Sequence, residues 1–284
     1  MKEVKNQMKK NNKHIGIKLW SSFSGIILMI LVLYINIYIF SKGGSGLNSD
    51  FLLDMPKGFP LGTEGGIFPA IIGSICFTGI ACFFASMIAI ATAVYLNFYC
   101  SNKKLCGMIH VVIQSTAGIP SIVLGLFGYT FLVVYLNLGL SLLSGGIVLS
   151  VMIFPFIEVR VEKALGEINK ELIYASYALG ISKSYTFFKI ILPMCFSEIL
   201  SAIVLAGGFA MGATAPIMFT GGVVYAPVPN SLFSPAMALP YHLYMLIGEG
   251  ISMENAYKTA SVLLLFLLIL NSFGILVELF RKVE

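Results

Sequence analysis

The sequence predicts an all-α integral membrane protein with six spanning helices, and three observations carry that prediction. Of 284 residues, 58% are hydrophobic and only 11% charged, about half the charged share of a soluble domain. The apolar residues come in continuous runs rather than in alternation, which excludes a barrel. The positive charges gather at alternate ends of those runs. Mean hydropathy is +0.92. Lipid offers no water to backbone groups, so apolar runs of about 20 residues must close their hydrogen bonds internally as helices.

Residues 1–18 form a tail holding Lys2, Lys5, Lys9, Lys10, Lys13 and Lys18. The run at 19–40 follows. Small polar residues Ser41 to Ser45 come after it, as at a signal cleavage site. Because the run exceeds the roughly 7 to 15 apolar residues of a signal core, it reads as an uncleaved anchor helix. Residues 41–66 form a Gly/Pro-rich outer loop, and 67–284 form the transmembrane domain. Its runs are 67–96, 105–136, 140–157, 190–220 and 257–280. A second outer loop, 221–256, contains Pro227, Pro229, Pro235 and Pro240. Neither loop reads as regular structure.

Apart from Lys42, Lys57 and Lys258, the remaining 15 of the 18 Lys and Arg residues lie in the tail, at 103–104, in the loop 158–189, or at Arg281 and Lys282. Cationic loops stay on the cytoplasmic side. The chain is therefore expected to be a multi-pass protein of the cell membrane with both termini inside. Its net charge of +5 sits beside lipid headgroups and is no sign of nucleic-acid binding.

The cytoplasmic loop 158–189 alternates Glu158, Glu162, Glu167 and Glu171 with Arg160, Lys163, Lys170, Lys183 and Lys189, a pattern of helices lying in water. Leu172, Ala175, Ser176 and Leu179 share one face at helical spacing. Gly180 ends that helix in the left-handed conformation, and Pro193 limits helical continuity into the next span. The expected unit is a helix, a glycine turn and a second helix.

Two spans carry breaks. Gly118-Ile119-Pro120-Ser121 lies deep in the third run, where proline removes a helix hydrogen bond and pushes its predecessor out of helical geometry. The fifth run contains Gly212-Ala213-Thr214-Ala215-Pro216. Gly208 and Gly212 make a small face suited to close helix contact. Two broken spans with a hydroxyl at similar depth predict a polar pocket at the bundle centre. Its candidate residues are Gly118, Pro120, Ser121, Gly212, Thr214, Pro216 and Thr220.

No catalytic constellation is present. Cys76, Cys82, Cys100, Cys106 and Cys195 lack metal spacing and read as small apolar packing residues. His14, His110 and His242 pair with no carboxylate at motif spacing. Glu198, at the start of the fifth run, reads as interfacial. No glycine-rich phosphate loop ending in Lys-Ser/Thr occurs, so ATP, cofactor and metal binding are not expected of this chain.

At the spacing of Glu-Ala-Ala, three residues, Gly, nine residues, Ile-any-Leu-Pro, the chain carries Ala175, Ser176, Gly180, Ile190, Leu192 and Pro193, with Tyr174 at the opening acidic position. This resembles the ATPase-coupling loop of ABC importer permeases. Gly118 to Gly128 is similar to Gly-Val-Pro-Ser-Ile-Val-Tyr-Gly-Leu-Phe-Gly of the PstA-type phosphate permeases. Residues 209–216, with Thr220, resemble that family's Arg-Ala-Ile-Gly-Glu-Thr-Ala-Pro and its following Thr. Ala93-Val94-Tyr95-Leu96 and Ala238 to His242 add matches, so the likeness runs from about Gly65 to Phe280.

The resemblance implies a type I importer architecture, a cytoplasmic ATPase dimer, a second homologous permease and an extracytoplasmic phosphate-binding protein. It implies ATPase contact at 175, 176, 180, 190, 192 and 193. Phe209 and Ala213 stand where the family has arginine and glutamate. An arginine would offer planar, bidentate donors to phosphate. Its loss leaves three readings open: a cation from the partner permease, a different oxyanion, or a degenerate, regulatory paralogue. A secondary transporter would need no ATPase-docking loop, and an intramembrane hydrolase lacks its constellation.

Overall fold

The computed structural model describes the backbone of residues 2–281 and the side chains of 17–279. The side chains of Lys2, Lys5, Lys9, Lys10, Lys13 and His14, and those of Arg281 and Lys282, lie outside the described residues.

Helix α1 (Lys2–Gly43) carries the first apolar segment, Ile17–Gly46, none of whose most apolar stretch is buried. It leans on the last helix, α12 (Met253–Arg281): Tyr38 Oη lies 3.4 Å from Tyr257 Oη, and Ser261 Oγ donates to the Ile39 carbonyl at 3.2 Å. The loop after α1 is more ordered than its composition suggests. It holds α2 (Ser49–Leu53), N-capped by Asn48, and an antiparallel hairpin of β1 (Pro56–Lys57) and β2 (Glu64–Gly65). Asn255 of α12 hooks this loop by donating to the carbonyls of Gly62 (2.8 Å) and Thr63 (3.0 Å).

The bundle centre is α3 (Phe68–Val94) against α6 (Leu142–Gly166). Ala81, Ala85, Ala89 and Ala93 recur every four residues and are fully buried. Small residues let the two helices approach closely, which lipid-solvated helices need because lipid gives them no hydrophobic drive to associate. Leu149, Ile153, Ile157 and Val161 of α6 fill the seam.

Between α3 and α6 lie α4 (Lys103–Ala117) and α5 (Ser121–Gly128), the latter prolonged by a wide π-type turn over Tyr129–Tyr135. They meet at 97°, so the third run is a sharply bent pair. Among the described residues five helices are long and apolar enough to span by themselves, and counting the bent pair as one span gives six. Cys100 and Cys106 are joined by a disulfide rather than packed as separate thiols. The turn between them brings their Cα atoms within 6.2 Å. Cys76 and Cys82 are free thiols, and Cys195 is buried in the core.

Helix α6 does not stop at Ile157. It continues to Gly166, carrying Glu158, Arg160, Glu162 and Lys163, because its buried stripe continues through Val161, Ala164 and Leu165. The unit beyond it is α7 (Lys170–Ala178) and α8 (Lys183–Thr186). Pro193 does not interrupt the next span. A π-type turn at Phe187–Ile191 leads into α9 (Leu192–Met211), with the proline in its first turn, where a missing N–H costs nothing. A short α10 (Ala215–Thr220) follows the break. The loop 221–256 contains a further helix, α11 (Leu239–Gly248), tied to α3 by the Leu239 N–H donating to Ser74 Oγ at 2.8 Å.

Candidate functional site

The two membrane breaks lie against each other. A Cβ on Gly125 would stand 2.9 Å from the Ala215 carbonyl and 3.2 Å from the Pro216 Cα, so only glycine lets α5 approach the start of α10 this closely. Gly128 plays the same part against Val148 and Thr220. Neither glycine was among the candidates, which were chosen for breaks and hydroxyls. Their distances from Pro120, five and eight residues, are the available signal.

The candidate residues divide into two groups. Gly118, Pro120 and Ser121 stand exposed on the α4–α5 elbow, Gly212 is exposed, and Thr214 is half-buried. Pro216 and Thr220 are inside the packing. The Thr220 hydroxyl donates to the Pro216 carbonyl at 2.7 Å, so it braces α10 rather than facing open space. Of the small face on α9, Gly208 meets Asn271 of α12, whose Oδ1 lies 3.3 Å from where a Cβ would sit.

Phe209 lies on an open face of the bundle, 52% exposed, with its ring 4.9 Å from that of Phe156. Phe156 is 46% exposed. The position corresponding to the family's arginine therefore presents an aromatic pair, and Ala213 beside it is half-buried.

Lower on α6 the structure forms a contact that spacing alone could not suggest. His110 Nε2 lies 2.8 Å from Glu162 Oε1, across 52 residues. One turn away, Glu158 is fully buried, and neither of its carboxylate oxygens has a hydrogen-bond partner among the described residues.

The knob formed by α7 and α8 is built from local signals. Asn169 Oδ1 accepts from the Glu171 N–H at 2.9 Å and caps α7. Ser182 Oγ accepts from the Tyr185 N–H at 3.3 Å and caps α8. Gly180 sits between them at φ +77°, a conformation that costs a side-chain-bearing residue about 1–2 kcal/mol. Inside the knob, the Ser176 and Thr186 hydroxyls meet at 3.0 Å, both buried. Of the expected small face, Ser176 thus points inward, while Leu172, Ala175 and Leu179 point out. Leu179 is 80% exposed and Tyr174 66%. Behind the knob, Ile190 and Leu192 are half-buried and Pro193 exposed, whereas Ile191 and Cys195 reach the core.

Residues 85–283 match the family described as binding-protein-dependent transport system inner membrane component. The chain is 32% identical to the phosphate transport system permease protein PstA 2 of Mycobacterium bovis, over 76% of this chain and 73% of that protein. It is 25% identical to the probable ABC transporter permease protein YqgI of Bacillus subtilis, over 92% and 94% of the two lengths. Among solved structures, an inward-facing MetNI methionine ABC transporter superposes with a TM-score of 0.61 at 22% identity, covering 74% of this chain and 93% of that one. The last likeness shows the fold. The chain belongs to the binding-protein-dependent transport system inner membrane component family, as a permease subunit of an ABC importer.

Proposed function

We propose that the chain is one of two permease subunits of an ATP-driven importer of inorganic phosphate. The observation that supports this most is the pair of membrane breaks packed on one another through Gly125 and Ala215, which retains the phosphate-permease pattern at the point where a solute would cross. Exposed Ser121 and half-buried Thr214 offer hydroxyls there, and a second permease subunit completes the passage. An ATPase dimer binds the face formed by Tyr174, Ala175 and Leu179. Closure of that dimer moves the knob and α9, and the breaks open to solute released from an extracytoplasmic phosphate-binding protein.

The test is radiolabelled phosphate uptake by the reconstituted complex, with sulfate and molybdate as competitors. Phosphate uptake that sulfate does not suppress is expected. Absence of phosphate uptake from an assembled, ATP-hydrolysing complex would reject the assignment. Thr214→Val is expected to weaken solute affinity by about 1–3 kcal/mol, the cost of an unmade buried hydrogen bond, measured as a raised half-saturation concentration. Cysteines placed at 50 and 230 should label from outside, and one at 170 only from inside. External labelling at 170 would overturn the orientation.

A second reading has its own support. The Phe156–Phe209 pair removes the cationic surface expected for phosphate, which favours a regulatory paralogue or a permease for a different oxyanion. The same uptake measurement separates these readings.

A further inference from the structure

The disulfide between Cys100 and Cys106 stands at the same end of the bundle as the knob. Helix α3 passes into a π-type turn at Tyr95–Tyr99, and the Phe98 ring in that turn lies 6.3 Å from the ring of Phe187, just beyond α8. Asn97 and Phe98 share a cavity of about 230 Å³ with Tyr174, Tyr177 and Lys183 of the knob. Residues 101–105 are exposed, and the two cysteines are half-buried, so a small reagent can reach the pair from water. On the importer reading this is the ATP-hydrolysing side, a reducing compartment in which the few disulfides are mostly transient and redox-sensing.

Two features give the pair a chemistry and a target. First, the cysteines are unequal. Cys106 lies in the opening of α4, three residues after Lys103 and two after Lys104. A helix N-terminus and adjacent cations stabilise a thiolate, the form that attacks disulfides. Cys100 lies outside the helix, beyond the N-cap Asn102, whose Oδ1 accepts from the Lys104 N–H at 3.0 Å. Cys106 is thus the attacking sulfur and Cys100 the resolving one. Second, the bond joins two grips on α6. Asn97 Nδ2 donates to the Glu162 carbonyl at 3.2 Å, and His110 Nε2 lies 2.8 Å from Glu162 Oε1. Asn97 precedes Cys100 by three residues, and His110 Nδ1 lies 2.8 Å from the Cys106 carbonyl. With the disulfide closed, the ends of α3 and α4 hold Glu162 as one clamp, close to where α6 ends at Gly166 and the knob begins.

Building on the importer reading, we infer that Cys100 and Cys106 form a thiol–disulfide modification site that sets the transport rate. The dithiol is the working form, and the disulfide restrains α6 and slows the cycle. The co-reactant is a low-molecular-weight disulfide of the glutathione class. The Cys106 thiolate attacks one of its sulfurs, forms a mixed disulfide and releases one thiolate. The Cys100 thiol gives up its proton and attacks the Cys106 sulfur, and the bond to the small molecule breaks with release of the second thiolate. The protein loses two electrons and two protons, and the small disulfide becomes two thiols. Reduction runs the same exchanges backwards.

The experiment uses the permease–ATPase complex in proteoliposomes, equilibrated with glutathione mixtures of rising oxidised share. Differential alkylation and peptide mass spectrometry read the state of Cys100 and Cys106. ATP hydrolysis and phosphate uptake are measured on the same samples. The pair should interconvert fully, and the oxidised complex should hydrolyse ATP several-fold more slowly until dithiothreitol restores it. Cys100→Ser should trap a glutathione adduct on Cys106, and Cys106→Ser should keep the rate of the dithiol form in every mixture. His110→Leu should leave interconversion intact and blunt the rate response, because one grip is gone. A bond that resists dithiothreitol in the folded complex would be structural and would overturn the inference. So would reduction by a membrane-impermeant phosphine only from the face opposite the ATPase, or interconversion that changes neither ATP hydrolysis nor uptake. If ATP hydrolysis follows the redox state while phosphate is not imported, the phosphate assignment falls and the redox site stands.

Discussion

The knob and the α4–α5 elbow are both interruptions of a helix beside a glycine, yet they are built in opposite ways. At the knob, Gly180 has φ +77°, and the capping residues Asn169 and Ser182 are local. At the elbow, Gly118 has an ordinary right-handed φ of −84°, and a Cβ there would find its nearest neighbour, the Ser115 carbonyl, at a comfortable 3.5 Å. The bend comes from Pro120, and the direction α5 then takes is decided at Gly125, where the neighbour is α10. A break in water is specified by the residues within it. A break in lipid, where freed backbone groups must be buried against protein or line a cavity, is specified by what it packs upon.

Substitutions can break that comparison, and the largest effect is expected at Gly180. Gly180→Asp strains the left-handed position and adds a charge to the knob. Uptake and ATPase stimulation should both vanish while the protein still inserts. Normal coupling in this variant would show that the turn is only a linker. Gly125→Leu should come next, since overpacking typically costs about 1–3 kcal/mol and the obstacle here is backbone. Loss of assembled complex on size-exclusion chromatography is expected, whereas Gly118→Ala should leave assembly intact. Equal damage from Gly118→Ala would mean that the elbow is locally specified after all.

Helix α11 tests the contrast through pH. His242 is buried, and burial pushes its imidazole from the ordinary 6.5 down to about 4. The unfolded chain takes up a proton below about pH 6.5, and the folded chain resists doing so. Stability is therefore full above pH 6.5 and falls as pH is lowered toward 4. Thermal unfolding at pH 7.5 and 5 should show a lower transition at pH 5, and His242→Gln should flatten that difference. The smallest effect is expected at the hydroxyl pair. Ser176→Ala should cost about 1 kcal/mol, read as a modest loss of ATPase stimulation. Ser176→Ala combined with Thr186→Val should cost less than the sum of the two single changes, because both partners leave together.

Much of the fold was legible in the sequence because hydropathy is a property of contiguous residues. The apolar runs at 67–96 and 257–280 correspond to α3 and α12, and the helix, glycine turn and helix at 170–186 follow from Asn169, Gly180 and Ser182. The end of α6 was misplaced, because Glu158 and Arg160 look like the start of a water-filled loop. Val161, Ala164 and Leu165 show their buried face only once α3 and α9 stand beside them. The disulfide between Cys100 and Cys106 and the helix inside the 221–256 loop were missed for the same kind of reason, since both depend on how the chain turns back on itself.

The sequence by itself determined the number of apolar runs, the alternation of charge at their ends, and the conformation of the knob. Each of these is set by residues within a few turns of one another. Only the tertiary structure decided that α5 lies on α10, that Phe209 meets Phe156, that Thr220 turns inward, and that His110 meets Glu162. Apart from Thr220 and Pro216, these residues stand 52 or more positions apart, and a helix in lipid has no intrinsic preference for which side it buries until small residues on a neighbouring helix let that side come close.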